Sequence, residues 1–510
     1  MTRPMTELRG ALMVCGATSD AGKSTIVTGL CRLLNRQGVR VSPFKAQNMA
    51  LNSVVTPSGH EIGRAQGIQA YAAGAEPEWA MNPILLKPTG EQASQVVVRG
   101  RPWKTMSARE YHHVKPALLP VVLDALDDLR HRYDVVICEG AGSPAEINLL
   151  DHDIVNLRVA RDAGLPAIVV GDINPGGVFA ALYGTVALLP DDLRRCVHGF
   201  VINKLRGDPS LLLDGCQQLQ DRTGLPVFGV VPWLPSTGLD AEDSMALDSM
   251  ALDPSGVAGA GPDAAGALGD ELDVAVVRLP RISNFTDLDP FRVEPGVRLR
   301  FVHDRAGLGD PDLVILPGSK ATVDDLEWLR RRGLADAIGY TPAVVLGLCG
   351  GYQMLGRSID DPVESGRTGV AGLGLLPVDT RFDAEKVTRL RTGAALGLPV
   401  HGYQIHHGRV QVAGGEPFVV LDDGSVDGVR AGRCVGTTLH GLFEDDDVRR
   451  AFLAMVADAR GKRFVSAGWS FAAARAAAVD AVADALAEHL DLAALEHLIA
   501  AAAPVAGGRA

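Results

Sequence analysis

From Ala11 to about Pro235, short apolar runs alternate with longer amphipathic ones. ALMVCG is followed by the helix-like STIVTGLCRLLNRQG and by VRVSPF, and later come YDVVICEG, LPAIVVGD and VHGFVINK. Continuously apolar runs of strand length are what a parallel sheet covered on both faces requires. The pattern therefore predicts a doubly wound α/β domain over 1–235. Over 236–270 the chain becomes rich in Asp, Gly, Ala and Pro and carries the duplication DSMALDSMALD, which reads as a flexible linker whose loop tolerates insertion at little cost. A second alternating series, LDVAVVRLP, PDLVILPGS, TPAVVLGLCGG and CVGTTLHGLF, predicts another α/β domain over 271–460. The Ala-rich pattern of 461–510 predicts helix that packs against one of the two domains, and its last residues, PVAGGRA, are expected to be disordered.

With 510 residues, 47% of them hydrophobic, the chain can bury at least two cores. A net charge of −12, from 49 basic and 61 acidic residues, argues against a nucleic-acid surface and for a small-molecule partner. The seven cysteines (Cys15, Cys31, Cys138, Cys196, Cys216, Cys349 and Cys434) are widely spaced and form no CxxC pair, which fits a reducing cytoplasm better than a disulfide framework or a zinc site. No signal segment opens MTRPMTELRGALMVCGATSD, and no later run of about 18 uncharged apolar residues suggests a membrane span.

The segment Gly16-Ala-Thr18-Ser-Asp20-Ala-Gly22-Lys23-Ser24-Thr25 falls between an apolar strand and a helical run, the setting of a phosphate-binding P-loop. Gly22 lets backbone amides approach phosphate oxygens, the helix N-terminus adds partial positive charge, Lys23 reaches the terminal phosphates, and Ser24 or Thr25 can ligate Mg²⁺. Glu139, ending the apolar run of YDVVICEGAGS, is a second candidate for the metal. Lys45, in SPFKAQNMALNS, can sit over nucleotide or acyl phosphate, or stand as a solvated surface lysine. Five residues rather than the usual four separate Gly16 from Gly22. That spacing resembles the dethiobiotin synthetase-like branch of P-loop enzymes, which phosphorylates carboxylates.

In VVLGLCGGYQMLG, Cys349 follows a buried strand and precedes Gly350, Gly351 and a helical run, so its thiol projects from a tight elbow suited to a nucleophile. A helix N-terminus and a nearby imidazole would favour its thiolate. His440, closing CVGTTLHGLF, is the candidate base. Backbone N–H groups at Gly350 and at the LPGSKAT turn around Gly318 and Ser319 are candidates for the oxyanion hole. His401, His406 and His407 in HGYQIHHG read as packing or interdomain contacts rather than a metal site.

In order along the chain stand GATSDAGKST, FKAQNMALNS, EIGRAQ, MNPILLKP, EGAGSPAEINL, GGVFA, FVINKLRGD, LPRISNFTDLD, LPGSKAT, LGLCGGYQMLG, HGYQIHHG and TLHGLF. Together they resemble the cobyric acid synthase family across about residues 11 to 455. The resemblance implies a dethiobiotin synthetase-like P-loop domain joined to a class I glutamine amidotransferase α/β domain. It also implies ATP, Mg²⁺, L-glutamine and a corrinoid substrate, with amidation of the b, d, e and g carboxylates of adenosylcobyrinic acid a,c-diamide in cobalamin (vitamin B12) biosynthesis. Asn48, Asn52 and Asp172 lie in matched segments and are candidate substrate residues. The sister cobyrinic acid a,c-diamide synthase shares both domain types, but FKAQNMALNS and EGAGSPAEINL favour the former family. A partitioning-type ATPase with an inactive amidotransferase-like domain is argued against by intact Cys349 and His440.

Three positions depart from the family pattern. Asn174-Pro175 replaces the common Asp-Arg, and Gln404 stands where Glu is usual. His440 is followed by Gly441 and Leu442, with Glu444 too late for an H-x-E arrangement, so a Cys349–His440 dyad is expected.

Overall fold

A computed structural model describes residues 8–90, 93–234 and 269–502. Apart from Gly269 and Asp270, the linker expected over 236–270 lies outside the described residues, and so does the terminal PVAGGRA. The first domain is built on a six-stranded sheet in the order Val227–Pro232, Val197–Leu205, Ala167–Asp172, Gly10–Gly16, Val135–Glu139 and Val41–Phe44, every neighbouring pair parallel. All residues of the central Gly10–Gly16 strand are buried, as a strand covered on both faces requires. The helix Lys23–Arg36 covers one face through Ile26, Val27, Leu30 and Leu34. The P-loop, Lys45, Glu139 and Asp172 all follow or end strands at the carboxyl edge of this sheet, where open α/β sheets place their ligands.

The second domain has a parallel core in the order Val297–Val302, Leu272–Val277, Leu313–Leu316, Val344–Leu348 and Cys434–Thr437. Beyond Cys434–Thr437 this sheet continues through Val426–Ala431 and Glu416–Leu421 to a long antiparallel hairpin, Val378–Ala395 with Leu398–Val412. The hairpin, and a small sheet of Gln47–Met49, Ile84–Pro88, Ala93–Val98 and Arg101–Ser107 in the first domain, are absent from the pattern-based expectation. Both mix buried and exposed positions without a sustained period.

The C-terminal segment folds back on the first domain, although it follows the second in sequence. Its helix Phe471–His489 lies along Lys23–Arg36 so closely that a side chain on Gly29 would meet Leu486 Cδ1 at 2.4 Å. Arg32 pairs with Asp480 at 2.7 Å beside that contact. The Ala-rich pattern is two helices, not one: Leu490 leaves helical geometry to bridge Gly229, and Asp491 caps the second helix, Leu492–Ala501.

Candidate active sites

At the P-loop, Gly22 has φ +93, and a side chain there would strike Asn203 Nδ2 at 2.0 Å. That amide donates to the Ala21 carbonyl at 3.0 Å, while Lys204 Nζ donates to the Asp20 carbonyl at 2.5 Å and pairs with Asp172 at 2.8 Å. Asn203 and Lys204, at the end of the strand Val197–Leu205, thus brace the loop from two strands away, a role that sequence reasoning missed. The available signal was the polar Asn-Lys closing the apolar run VHGFVINK. Asp172 belongs to this brace. Its other oxygen accepts from the Asn174 N–H at 2.8 Å, so the unusual Asn174-Pro175 pair lies in a turn tied to the loop support.

Lys23 lies within the loop, its ammonium 3.4 Å from the carbonyls of Thr18 and Gly142. A side chain on Gly16 would meet both Thr18 O and Lys23 Nζ within 3.0 Å. Ser24 Oγ and Lys45 Nζ each donate to Glu139 Oε1 at 2.8 Å, and Gln69 Nε2 donates to Glu139 Oε2 at 2.5 Å. Thr25 sits half-buried in the first turn of the same helix. Lys45 is therefore neither solvated nor superficial. Asn48 donates to Gln66 at 2.9 Å and Gln66 to Gln69 at 3.4 Å, a buried line of amides leading to Glu139. Asn52, a candidate substrate residue, is fully buried at the domain junction, where its Oδ1 accepts from the Phe285 N–H at 3.1 Å and completes a contact between the domains.

Cys349 has φ +49 and ψ −106, a conformation sparsely populated for a residue with a Cβ, at the turn between Val344–Leu348 and the helix Gly350–Leu355. The glycines around it permit the crowding: a Cβ on Gly351 would lie 1.9 Å from Leu316 O, and one on Gly350 would lie 2.8 Å from Ser319 N. The backbone of Gly350 and that of the Gly318–Ser319 turn are thereby brought together. The Ser319 hydroxyl is used elsewhere, donating to Asp325 at 2.6 Å.

His440 is buried at the end of Cys434–Thr437, with Nδ1 2.6 Å from Asp287 Oδ2. The other Asp287 oxygen accepts from the Gly441 N–H at 2.9 Å. Among the described residues, His440 Nε2 makes no hydrogen bond of ordinary geometry, yet the Cys349 sulfur is close enough to act on the ring electrostatically, and both line one cavity. Burial disfavours the charged imidazole, but Asp287 and Cys349 outweigh it and push its pKa up to about 10. The expected dyad thus gains an acidic neighbour. It comes from SNFTDLD, 153 residues upstream, whereas the spacing rule searches just downstream of the histidine. Glu444 is otherwise engaged, accepting from Arg64 and Arg475 at 2.9 Å each.

Gln404 accepts from Arg391 Nε at 2.8 Å and donates to Asp427 at 2.8 Å and to Thr438 at 3.1 Å. A glutamate could not donate to Asp427, so the amide suits these neighbours. His407 lies 3.4 Å from Gln95 of the first domain, His406 bonds the Gly408 carbonyl and His401 faces Asp445. The described residues contain no group of three or more side chains placed to hold a metal through His, Cys, Asp or Glu alone.

A small cavity at the domain junction is lined by Cys349, His440 and Lys386 from the second domain and by Lys87 from the first. Behind it, fully buried Glu61 accepts from Lys386 at 2.5 Å, Lys87 at 2.6 Å and Ser53 Oγ at 2.9 Å. Burial opposes the charge on Glu61, but the two ammonium groups hold its carboxyl well below the usual range. Glu61→Gln should cost about 3–5 kcal/mol, because it leaves two buried cations without their counter-charge. Denaturant unfolding at neutral pH measures this, and a loss below about 1 kcal/mol would contradict it.

Residues 12–245 match the CobQ/CobB/MinD/ParA nucleotide binding domain, and residues 273–448 match the CobB/CobQ-like glutamine amidotransferase domain. Cobyric acid synthase of Frankia casuarinae is 53% identical over 526 residues, covering 98% of each chain. That of Streptomyces coelicolor is 53% identical over 503 residues, again with 98% of each covered. Among solved structures, a glutamine amidotransferase matches at 19% identity over 36% of this chain and 98% of its own, with a TM-score of 0.31 that is too low to carry an argument. No helix among the described residues is long and apolar enough to cross a membrane. With more than half of its residues shared over nearly its full length with these relatives, the chain belongs to the cobyric acid synthase family.

Proposed function

We propose that Cys349, His440 and Asp287 hydrolyse glutamine, and that the ammonia released amidates carboxylates activated by ATP at the P-loop. The corrinoid acceptor is adenosylcobyrinic acid a,c-diamide, and its b, d, e and g carboxylates are the groups converted. The observation that carries this reading is the cavity that the thiol shares with a residue of the nucleotide-binding domain.

The Cys349 thiolate attacks the side-chain carbonyl carbon of glutamine, and the oxyanion is met by N–H groups of Gly350 and the Gly318–Ser319 turn. His440 gives its Nε2 proton to the departing nitrogen, releasing ammonia and leaving a thioester. Water, deprotonated by His440, then cleaves the thioester to glutamate. Asp287 holds the Nδ1 proton and thereby the ring's tautomer and orientation.

In the first domain an acceptor carboxylate attacks the γ-phosphorus of ATP, giving an acyl phosphate and ADP. Ammonia attacks the acyl carbon, and phosphate leaves as the carboxamide forms. Lys23 neutralises the terminal phosphates and backbone amides of the P-loop orient them. Ser24 and Glu139 place two oxygens 2.8 Å apart, a donor set that fits Mg²⁺. Bound there, the ion would offset phosphate charge. Free ammonium is a poor nucleophile at neutral pH, so release into a cavity at the junction favours the unprotonated form.

Mass spectrometry of adenosylcobyrinic acid a,c-diamide incubated with the protein, ATP, Mg²⁺ and glutamine tests the assignment. Successive carboxylate-to-amide conversions at the b, d, e and g positions are expected. An unchanged mass alongside active glutamine hydrolysis would assign a different acceptor.

A further inference from the structure

A short segment of the first domain reaches the second beside its candidate base. Ser53 N–H donates to Asn284 Oδ1 at 3.0 Å, and Phe285 N–H donates to Asn52 Oδ1 at 3.1 Å, so each asparagine satisfies the other domain's backbone. Asn284 has φ +50, in the left-handed region that asparagine tolerates better than most residues. There the chain turns into the short helix Phe285–Leu288, which carries Asp287.

A third bond runs from Tyr403 Oη to the Ser53 carbonyl at 3.1 Å. Tyr403 pairs its backbone in both directions with His440, at 3.0 and 2.9 Å, and its ring stacks on the imidazole with centroids 5.3 Å apart and planes at 22°. All of these residues are buried, where an unmade hydrogen bond is costly. The carboxylate behind Nδ1 and the ring over the imidazole face are thus both anchored on Asn52 and Ser53. On the other side, the Asn52 carbonyl accepts the Arg64 N–H at 3.1 Å, at the start of the helix Arg64–Ala73 whose Gln69 reaches Glu139.

We infer that Asn52 and Ser53 are positioning residues of the glutaminase, which set His440 for proton transfer only while the two domains are docked through this contact. The inference rests on the assignment of Cys349, His440 and Asp287 to glutamine hydrolysis. Its consequence is that ammonia forms efficiently only beside the domain that consumes it. A displacement of about 1 Å in a catalytic group is enough to lower a rate on the order of 10²-fold, and these bonds fix both supports of the base.

The test uses the full-length protein with Asn52→Ala, Asn284→Ala, their combination, and Tyr403→Phe, which removes one bond across the junction while keeping the stacked ring. Glutamine hydrolysis is followed over pH, and ammonium-dependent amidation is measured in parallel. Asn52→Ala and Asn284→Ala should each lower the glutaminase kcat on the order of 10²-fold and bring its alkaline limb to lower pH. KM for glutamine should change by less than about 3-fold, an expectation for lost alignment rather than lost binding. The double variant should be less impaired than the product of the single effects, and Tyr403→Phe should show a smaller loss of the same kind. Ammonium-dependent amidation by Asn284→Ala and Tyr403→Phe should match wild type.

Wild-type kcat and pH profile in the single variants would overturn the inference, as would equal loss of glutamine- and ammonium-dependent amidation. If the asparagine variants do not fold, Tyr403→Phe decides through the same kcat and pH readouts. Absence of glutaminase activity from the wild-type protein would instead overturn the assignment on which the inference rests.

Discussion

Asp287→Asn should lower glutamine-dependent amidation on the order of 10³–10⁴-fold and leave ammonium-dependent amidation near wild type. The size follows from geometry: Asp287 holds His440 Nδ1 at 2.6 Å, and an amide there no longer favours the charged ring or fixes its tautomer. The sign of the pH effect follows from the same contact. The folded-state pKa of His440 is raised to about 10 from an ordinary value of 6.5, so the stabilising imidazolium is fully present below the ordinary value and is lost as pH rises through about 10. Removing the carboxylate lowers that pKa, so the alkaline limb of glutamine hydrolysis should move toward neutral pH, and the variant should lose stability relative to wild type at neutral and mildly alkaline pH. Steady-state glutaminase kinetics across pH and unfolding curves at two pH values check both parts. An unchanged limb would remove Asp287 from the site.

Lys23→Met should have the complementary phenotype, with amidation reduced on the order of 10²–10³-fold for glutamine and ammonium alike. Its ammonium lies within the P-loop, 3.4 Å from the Thr18 and Gly142 carbonyls, where a triphosphate would draw it into direct contact. Methionine preserves much of the chain's bulk but removes the charge. Glutamine hydrolysis by the second domain should survive. Parallel assays of ADP formation, glutamate formation and corrinoid mass separate the two half-reactions, and rescue by ammonium would contradict the assignment of Lys23 to phosphate.

The sites were legible in the sequence wherever their chemistry is local. A P-loop is a run of consecutive residues between strand and helix, and the Cys349 elbow is written in the small residues that permit its close packing. Asp287 could not be found in that way, because its relation to His440 spans 153 residues and arises only when separate loops meet. Asn52 shows the same difficulty: its segment is rich in motifs, but the Phe285 backbone that its amide oxygen meets across a buried junction lies in a distant part of the chain. Local pattern likewise indicated helix at the C-terminus without indicating its docking surface. That information resides in Gly29 of another helix, whose missing side chain makes room for Leu486.

The fold positions the two reactions through a division of labour within its sheets. Parallel strands deliver the P-loop and Glu139 to one carboxyl edge and Cys349 and His440 to another, while the long hairpin brings Lys386 and the HGYQIHHG segment to the junction. Neither half-site accounts for the overall reaction alone, since one liberates ammonia and the other prepares its acceptor. The two are therefore linked by the transfer of nitrogen from a thiol-dependent glutaminase to an ATP-activated corrinoid.

Corrinoid mass after incubation of Cys349→Ala with ATP, Mg²⁺ and either glutamine or ammonium tests this transfer. If nitrogen is transferred in this way, no amidation occurs with glutamine, and amidation with ammonium runs at the rate that wild type shows with ammonium. Continued glutamine-dependent amidation by this variant would contradict it.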